Sequence, residues 1–358
     1  MSQPRILFLV PYPQGKAPSQ RFRFEQYFAA LQAQGIPYEV QSFMDDRTWE
    51  ILYKPGRQLA KVLGILRGFL RRAAVLFRLQ RYDYVFVHRE ASPIGPPVFE
   101  WLIAKVFGKK LIFDFDDAVW LPNTSEVNKV VAAVKWHHKT GAICRWSYKV
   151  SAGNAYLAAY AEKQSAKQVI VNPTTIDMEG LHNRMQDQAT GRPAIGWTGS
   201  HSTLPYLQVL VPVLQKLEEK HDFDFVVIAD KDPQLPLKSV RFVPWNKATE
   251  RDDLLRFHIG VMPLVDDQWA KGKCGFKALQ YMSLGIPAVV SPVGVNTTIV
   301  DHGKNGMVAA TEEDWYAALA TLMQDEALRI QMGAAAAEKI LGNYSVSSNT
   351  PRFLALFA

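Results

Sequence analysis

The sequence predicts an α/β protein built as two doubly wound parallel-sheet domains. Short apolar runs alternate with helix-length amphipathic stretches, the pattern of parallel strands joined by crossover helices. That rhythm stops at Asn172-Pro173-Thr174-Thr175 and the polar stretch Asp177–Arg192, then restarts. The length of 358 residues corresponds to about two domains at roughly 150 residues each.

In the first half, Ile6–Val10, Tyr38–Ser42, Tyr84–His88, Lys110–Phe115, Lys149–Ser151 and Gln168–Val171 read as strands. Helical patterns lie at about Arg21–Gln34, Gly56–Gln80, Pro97–Phe107 and Asn154–Gln164. In the second half the strands are Ala194–Thr198, Phe223–Ile228, Val240–Val243, Ile259–Met262 and Ala288–Ser291. Leu204–His221, Arg251–Phe257, Gly275–Ser283 and Thr311–Gln324 read as helices. The expected organisation is an N-terminal domain over 1–175, a linker over 176–192 and a C-terminal domain over 193–340. A segment over 341–358 is expected to return to the N-terminal domain. Two such domains would face one another across a cleft, with ligands beyond the carboxyl ends of the strands.

Composition narrows the function classes. At 48% hydrophobic and 21% charged, the chain is ordinary globular protein. Two cysteines, Cys144 and Cys274, exclude a disulfide scaffold. No run of eighteen apolar residues occurs, and Ile6–Val10 ends at Pro11, too short for a signal-peptide core; a cytoplasmic location is expected. The net charge of +7 divides into +11 over residues 1–172 and −4 over the remainder, which argues against nucleic-acid binding by the whole chain.

Much of the positive excess lies in residues 54–81, which hold eight Lys and Arg and no acid. On a helical projection Arg57, Lys61, Arg67, Arg71, Arg72 and Arg78 occupy roughly half the circumference. Leu59, Val62, Leu66, Phe69, Leu70, Ala73, Leu76 and Phe77 lie opposite. The apolar stripe is expected to pack into the domain. The basic face is expected to rest on an anionic surface at the inner face of the plasma membrane, each nearby cation contributing about 1 kcal/mol. An outer helix with a solvated basic face is the simpler alternative.

The stretch Lys271–Asn296 runs from a loop with Gly272 and Gly275 into a short helix that ends at Gly285 and Pro287 before an apolar strand. A helix N-terminus offers unpaired N–H groups and a positive dipole end to an anion, and Lys273 and Lys277 add two charges. Gln280 can line the same side. Together with Phe276, these residues suit a diphosphate carrying a sugar or ribose. Ile195–Gly199 runs into Ser200-His201-Ser202-Thr203, where Gly199 permits close backbone approach and Ser200 and His201 offer polar groups at another strand end. Two solvated lysines and an ordinary helix cap would explain the same spacing.

These residues resemble glycosyltransferase family 4, retaining enzymes of the two-domain GT-B fold. The resemblance rests on Ile195–Ser200, the strand end at Pro263, Gln280–Pro287, Ser291–Asn296 and Ile299–Val308. It implies a nucleotide-diphosphate sugar as donor substrate and front-face transfer without a protein nucleophile; no cofactor is required, and no metal is expected because the lysines can take that role. The donor base would lie against Val243-Pro244-Trp245, the ribose at Gln280, and the diphosphate at Lys273, Lys277 and nearby amides. The acceptor would be a carbohydrate or a lipid-linked saccharide, in cell-surface polysaccharide assembly. Two departures stand out: the positions of the family's two motif glutamates fall on Gly272 and Gln280, and the usual Arg and Lys of the first loop are absent from Ser200–Leu204.

In the first half Leu111–Phe113 leads into Asp114-Phe115-Asp116-Asp117, an apolar strand ending in carboxylates. Taken alone, this fits a D-x-D metal site of GT-A glycosyltransferases or the nucleophile motif of haloacid-dehalogenase phosphatases. The GT-A assignment leaves the second half unexplained, and no later Gly-Asp-x-x-x-Asp supports the phosphatase. The GT-B assignment uses both halves, with Asp116 and Asp117 facing sugar hydroxyls. The first βα loop, Pro11–Arg23, contributes Gly15, Arg21 and Arg23 toward an acceptor or phosphate in the cleft. A catalytically weak GT-B-like binding subunit and a GT-B sugar-nucleotide epimerase are the alternatives.

Overall fold

Buried parallel strands need apolar side chains on both faces, so they read as continuous hydrophobic runs. The apolar runs of the sequence become such strands in the computed structural model, which describes residues 3–52, 54–122, 136–189 and 191–358. Contacts divide the chain into two units. The first comprises Met1–Thr174, Gly272–Cys274 and Thr350–Ala358; the second comprises Thr175–Lys271 and Gly275–Asn349.

The first unit holds β1 (Ile6–Val10), β2 (Tyr38–Ser42), β3 (Tyr84–His88), β4 (Lys110–Phe115), β5 (Lys149–Ala152) and β6 (Val169–Val171). They form one parallel sheet in the order β2-β1-β3-β4-β5-β6. Phe8 of β1 sits in an aromatic cluster with Phe24, Phe28 and Phe86. The C-terminal segment joins this cluster: Phe353 stacks on Tyr27 with centroids 4.3 Å apart, and Lys149 donates to the carbonyls of Ala355 and Ala358.

The second unit holds β7 (Ala194–Gly199), β8 (Asp224–Ala229), β9 (Val240–Pro244), β10 (Ile259–Met262), β11 (Ala288–Val290) and β12 (Gly306–Val308). Its sheet is parallel, in the order β12-β11-β10-β7-β8-β9. Chain order reverses between β7 and β10, the place where doubly wound sheets open a ligand crevice. The core on one face is Trp197, Leu214, Phe225, Val261 and Trp315. The stretch 176–192, expected as a linker, packs on this unit instead. Gln186 N–H donates to the Leu284 carbonyl, and Gln188 pairs with Arg329 and the Gly285 carbonyl. Pro205 and Pro212 turn the expected helix at Leu204–His221 into a 3₁₀ stretch, Leu204–Leu210, followed by an α-helix, Val211–Glu218.

One expectation is inverted. The long helix Gln58–Leu76 buries Gly64, Gly68, Arg72 and Val75, not its leucines. A Cβ at Gly68 would lie 2.5 Å from the Phe43 ring and one at Gly64 would lie 2.3 Å from Thr48 Oγ1, so a glycine ridge makes the close contact. Arg72 is fully buried and therefore belongs to no membrane face. Its guanidinium donates to the carbonyls of Val10, Gln41 and Ala91 and to Gln41 Oε1, capping backbone groups where strands β1, β2 and β3 end. Arg71 pairs with Asp45 at 2.8 Å and Arg78 with Glu39 at 3.4 Å, while Arg57 and Arg67 are exposed and Lys61 half-buried. Gly68→Leu should therefore lower unfolding free energy by about 2–3 kcal/mol through overpacking. Leu66→Ser, on the outward face, should change it by less than about 0.5 kcal/mol; urea denaturation measures both.

Candidate functional site

In the second unit the site is assembled at the carboxyl ends of β7, β8, β10 and β11. Gly275, at φ +69, caps the helix Phe276–Ser283 from a left-handed conformation, and a Cβ there would meet Ile299 at 2.2 Å. Lys277, in the first turn, places its ammonium 5.4 Å from the ring centroid of Trp197 on β7. Further along the helix, the Tyr281 hydroxyl accepts from Thr198 N–H at 3.0 Å and sits 3.5 Å from the Val261 carbonyl. Tyr281 thus ties the helix to β7 and β10 across the place where strand order reverses, and burial pushes its phenol well up from its ordinary value. Gln280 is buried on the same helix.

The neighbouring loops supply polar groups. Gly199 ends β7, and Ser200 and His201 are exposed beyond it. His201 is oriented by Asp230 at the end of β8, through its backbone N–H and through Nδ1 at 2.6 Å. After β11, Ser291 Oγ accepts from Leu264 N–H at 2.9 Å, which fixes the turn after β10. Val243 and Trp245 lie half-buried at the end of edge strand β9, with Trp245 N–H donating to the Ala229 carbonyl. Lys277 belongs to the second unit, whereas Lys273 lies in the segment Gly272–Cys274 of the first. There the Gly272 and Lys273 carbonyls accept from Asn154 Nδ2 at 3.1 and 3.0 Å, and Cys274 Sγ donates to the Asp116 carbonyl at 3.1 Å.

The first unit concentrates charge at the ends of β3, β4 and β5. Parallel register sets His88 opposite Asp114 and Asp114 opposite Ser151. His88 Nδ1 and Ser151 Oγ both donate to Asp114 at 2.7 Å. Arg23, also buried, pairs with the same carboxylate and donates to the Asn172 carbonyl. Burial alone would raise Asp114, but Arg23 and His88 outweigh it and hold the carboxyl well below the usual range. Arg23 is therefore a buried anchor for the strand ends, not a cleft arginine. His88 Nε2 and Asn172 Oδ1 are buried without a partner among the described residues.

Asp116 and Asp117 have a different partner, Arg89, which no sequence motif marks. Arg89 adopts φ +60 and reaches both carboxylates at 2.7 Å, from Nε to Asp116 and from Nη2 to Asp117. Burial would raise Asp116, yet Arg89 holds it low. The clue available in the sequence is that two adjacent strands both end in charged residues, His88-Arg89-Glu90 and Asp114–Asp117. Gly15 N–H donates to Glu25 at 2.8 Å, and Arg21 lies over the Phe22 ring at 4.9 Å; both are half-buried. Among the described residues no group of three His, Cys, Asp or Glu is placed to share a metal ion.

Because Asp114 is lower in the folded than in the unfolded state, its contribution to stability is complete above the ordinary value of about 3.9 and drains away below it. Asp114→Asn should cost about 3–5 kcal/mol at neutral pH by leaving Arg23 buried and uncompensated. The same variant should flatten the loss of stability below about pH 4, as read from denaturation midpoints across a pH series.

Residues 192–325 match the family described as Glycosyl transferases group 1. No curated protein matches the chain in sequence. Among solved structures, a sucrose-phosphate synthase from Thermosynechococcus elongatus is similar with a TM-score of 0.71 and 13% identity, covering 99% of this chain and 98% of that one. Anabaena Alr3699/HepE in complex with UDP and glucose is similar with a TM-score of 0.67 and 14% identity, covering 99% of each chain. The catalytic domain of starch synthase IV from Arabidopsis thaliana, bound to ADP and acarbose, has a TM-score of 0.67 at 12% identity over 99% of each. The fold is GT-B, and the match to the group 1 model over residues 192–325 supports a glycosyltransferase.

Proposed function

We propose that the chain is a retaining transferase of family 4 type that moves a sugar from a nucleoside-diphosphate sugar to a carbohydrate or lipid-linked acceptor. The observation that carries this reading is Lys277, held over Trp197 where strand order reverses, inside the domain that matches group 1. A departing diphosphate gains negative charge in the transition state, and a preorganised cation beside helix N–H groups stabilises that charge most. Edge strand β9 stands two strands from β7, about 10 Å away. The base is assigned to Val243 and Trp245, the ribose to Gln280. UDP and ADP in the similar structures support a nucleoside diphosphate without choosing the base.

In the reaction the bond from the sugar's anomeric carbon to the diphosphate oxygen breaks. An acceptor hydroxyl bonds to that carbon from the same face, and its proton passes to a departing phosphate oxygen. Asp116 and Asp117 are assigned the sugar hydroxyls, with Arg89 setting their orientation. A role in cell-surface polysaccharide assembly rests on the family resemblance.

One observation favours a second reading, a binding subunit with little turnover: the two motif acid positions hold Gly272 and Gln280. Incubation with UDP-, ADP- and GDP-sugars and saccharide acceptors separates the two by product formation. Lys277→Ala should lower kcat/KM about 10²–10³-fold, with the thermal midpoint retained. Full activity in that variant would remove Lys277 from the diphosphate site, and diphosphate binding without any product would favour the subunit.

A further inference from the structure

The outward face of the helix Gln58–Leu76 is apolar where an ordinary outer helix is polar. Leu59, Val62, Leu63, Leu66 and Leu70, with Phe77 just beyond the helix, are each between 44% and 90% exposed. They fall within roughly 100° of arc. Their outward position has a cause, since the inward face is given to the glycine ridge and to Arg72. We propose that this face docks the protein on an anionic lipid surface, lying in the headgroup layer with its leucines inserted. The inference stands apart from the transfer reaction and does not rest on it.

Charge selects the occupant. Arg71, Arg72 and Arg78 have partners within the unit. Among the described residues, Lys54, Arg57, Lys61, Arg67 and Arg81 have no carboxylate partner, and residues 54–81 contain no acid. Arg47 joins Arg67 beside Ile51 and Leu63 in a groove of about 50 Å³ at the same helix. Arg47 and Arg67 border the stripe at Leu63, whereas Arg57 and Lys61 project to the other half of the helix; leucines entering the acyl boundary with guanidiniums at their edge on phosphates is the pattern of a helix lying in a membrane interface. The adjacent helix Val98–Trp101, joined through the Phe69–Phe99 contact, adds exposed Val98 and Trp101. No helix among the described residues is long and apolar enough to cross a membrane, so the helix lies on the surface. A second copy of the chain fits less well, because pairing two such stripes would bring the Arg47 and Arg67 of both copies to the seam, with no acid in residues 54–81 to answer them.

The test is sedimentation of the full chain with vesicles. Binding is expected to vesicles of equimolar phosphatidylcholine and phosphatidylglycerol, to weaken as salt is added, and to be absent with phosphatidylcholine alone. Leu66→Ser with Leu70→Ser should weaken binding about tenfold or more, with circular dichroism and thermal midpoint unchanged. Arg67→Ser with Arg81→Ser should weaken it by a similar factor on the anionic vesicles only. Equal binding to phosphatidylcholine alone would overturn the proposal, as would leucine variants that bind undiminished. A dimer that the leucine variant dissociates, in a protein that no vesicle binds, would assign the face to a second copy instead. Because vesicle binding is read without any donor or acceptor, failure of the transfer reading leaves this result standing.

Discussion

Parallel pairing in register is the constraint on which both halves of this molecule depend. Adjacent parallel strands carry equivalent residues side by side, so a strand that ends in a polar group hands it to its neighbour at hydrogen-bonding distance. In the first unit this sets His88, Asp114 and Ser151 in one row and gives a buried carboxylate two donors. Such a carboxylate still needs a countercharge, and Arg23 supplies it from the helical segment after the first loop. The row is rigid because every member is held. Asp116 and Asp117, the next acids along the chain from β4, therefore leave the sheet at a defined place, where Arg89 meets both.

The second unit uses the same constraint for a different purpose. With all six strands parallel, their carboxyl ends share one edge, and the reversal of order between β7 and β10 opens that edge where neighbouring connections run to opposite faces. Tyr281 bridges the reversal and sets the helix that carries Lys277. A cation over a tryptophan ring, with a helix N-terminus nearby, is suited to a leaving group that accumulates negative charge.

Sequence alone made most of the fold legible, because buried parallel strands announce themselves as apolar runs. It placed Gly199, Lys277 and the acid cluster at strand or helix ends, where the structure has them. It was silent where tertiary pairing decides. A helical projection of residues 58–76 distinguishes two faces but not which turns inward, and a ridge of Gly64, Gly68 and Arg72 turned the leucines out. Arg72 and Arg23 look like surface cations until their carbonyl and carboxylate partners, tens of residues away, are known. Arg89 escapes notice for the same reason. Lys273 and Lys277 are four apart in sequence yet fall in different units, a division no spacing rule reports.

A nucleoside diphosphate bound to the second unit should lie at the edge carrying Lys277. Hydrogen–deuterium exchange, read by peptide with and without UDP, ADP or GDP, tests it most directly. One of these is predicted to slow exchange over residues 197–203, 275–281 and 291–296 together. Protection confined to the peptides around Asp116 and Asp117, or none with any nucleotide, would contradict the account.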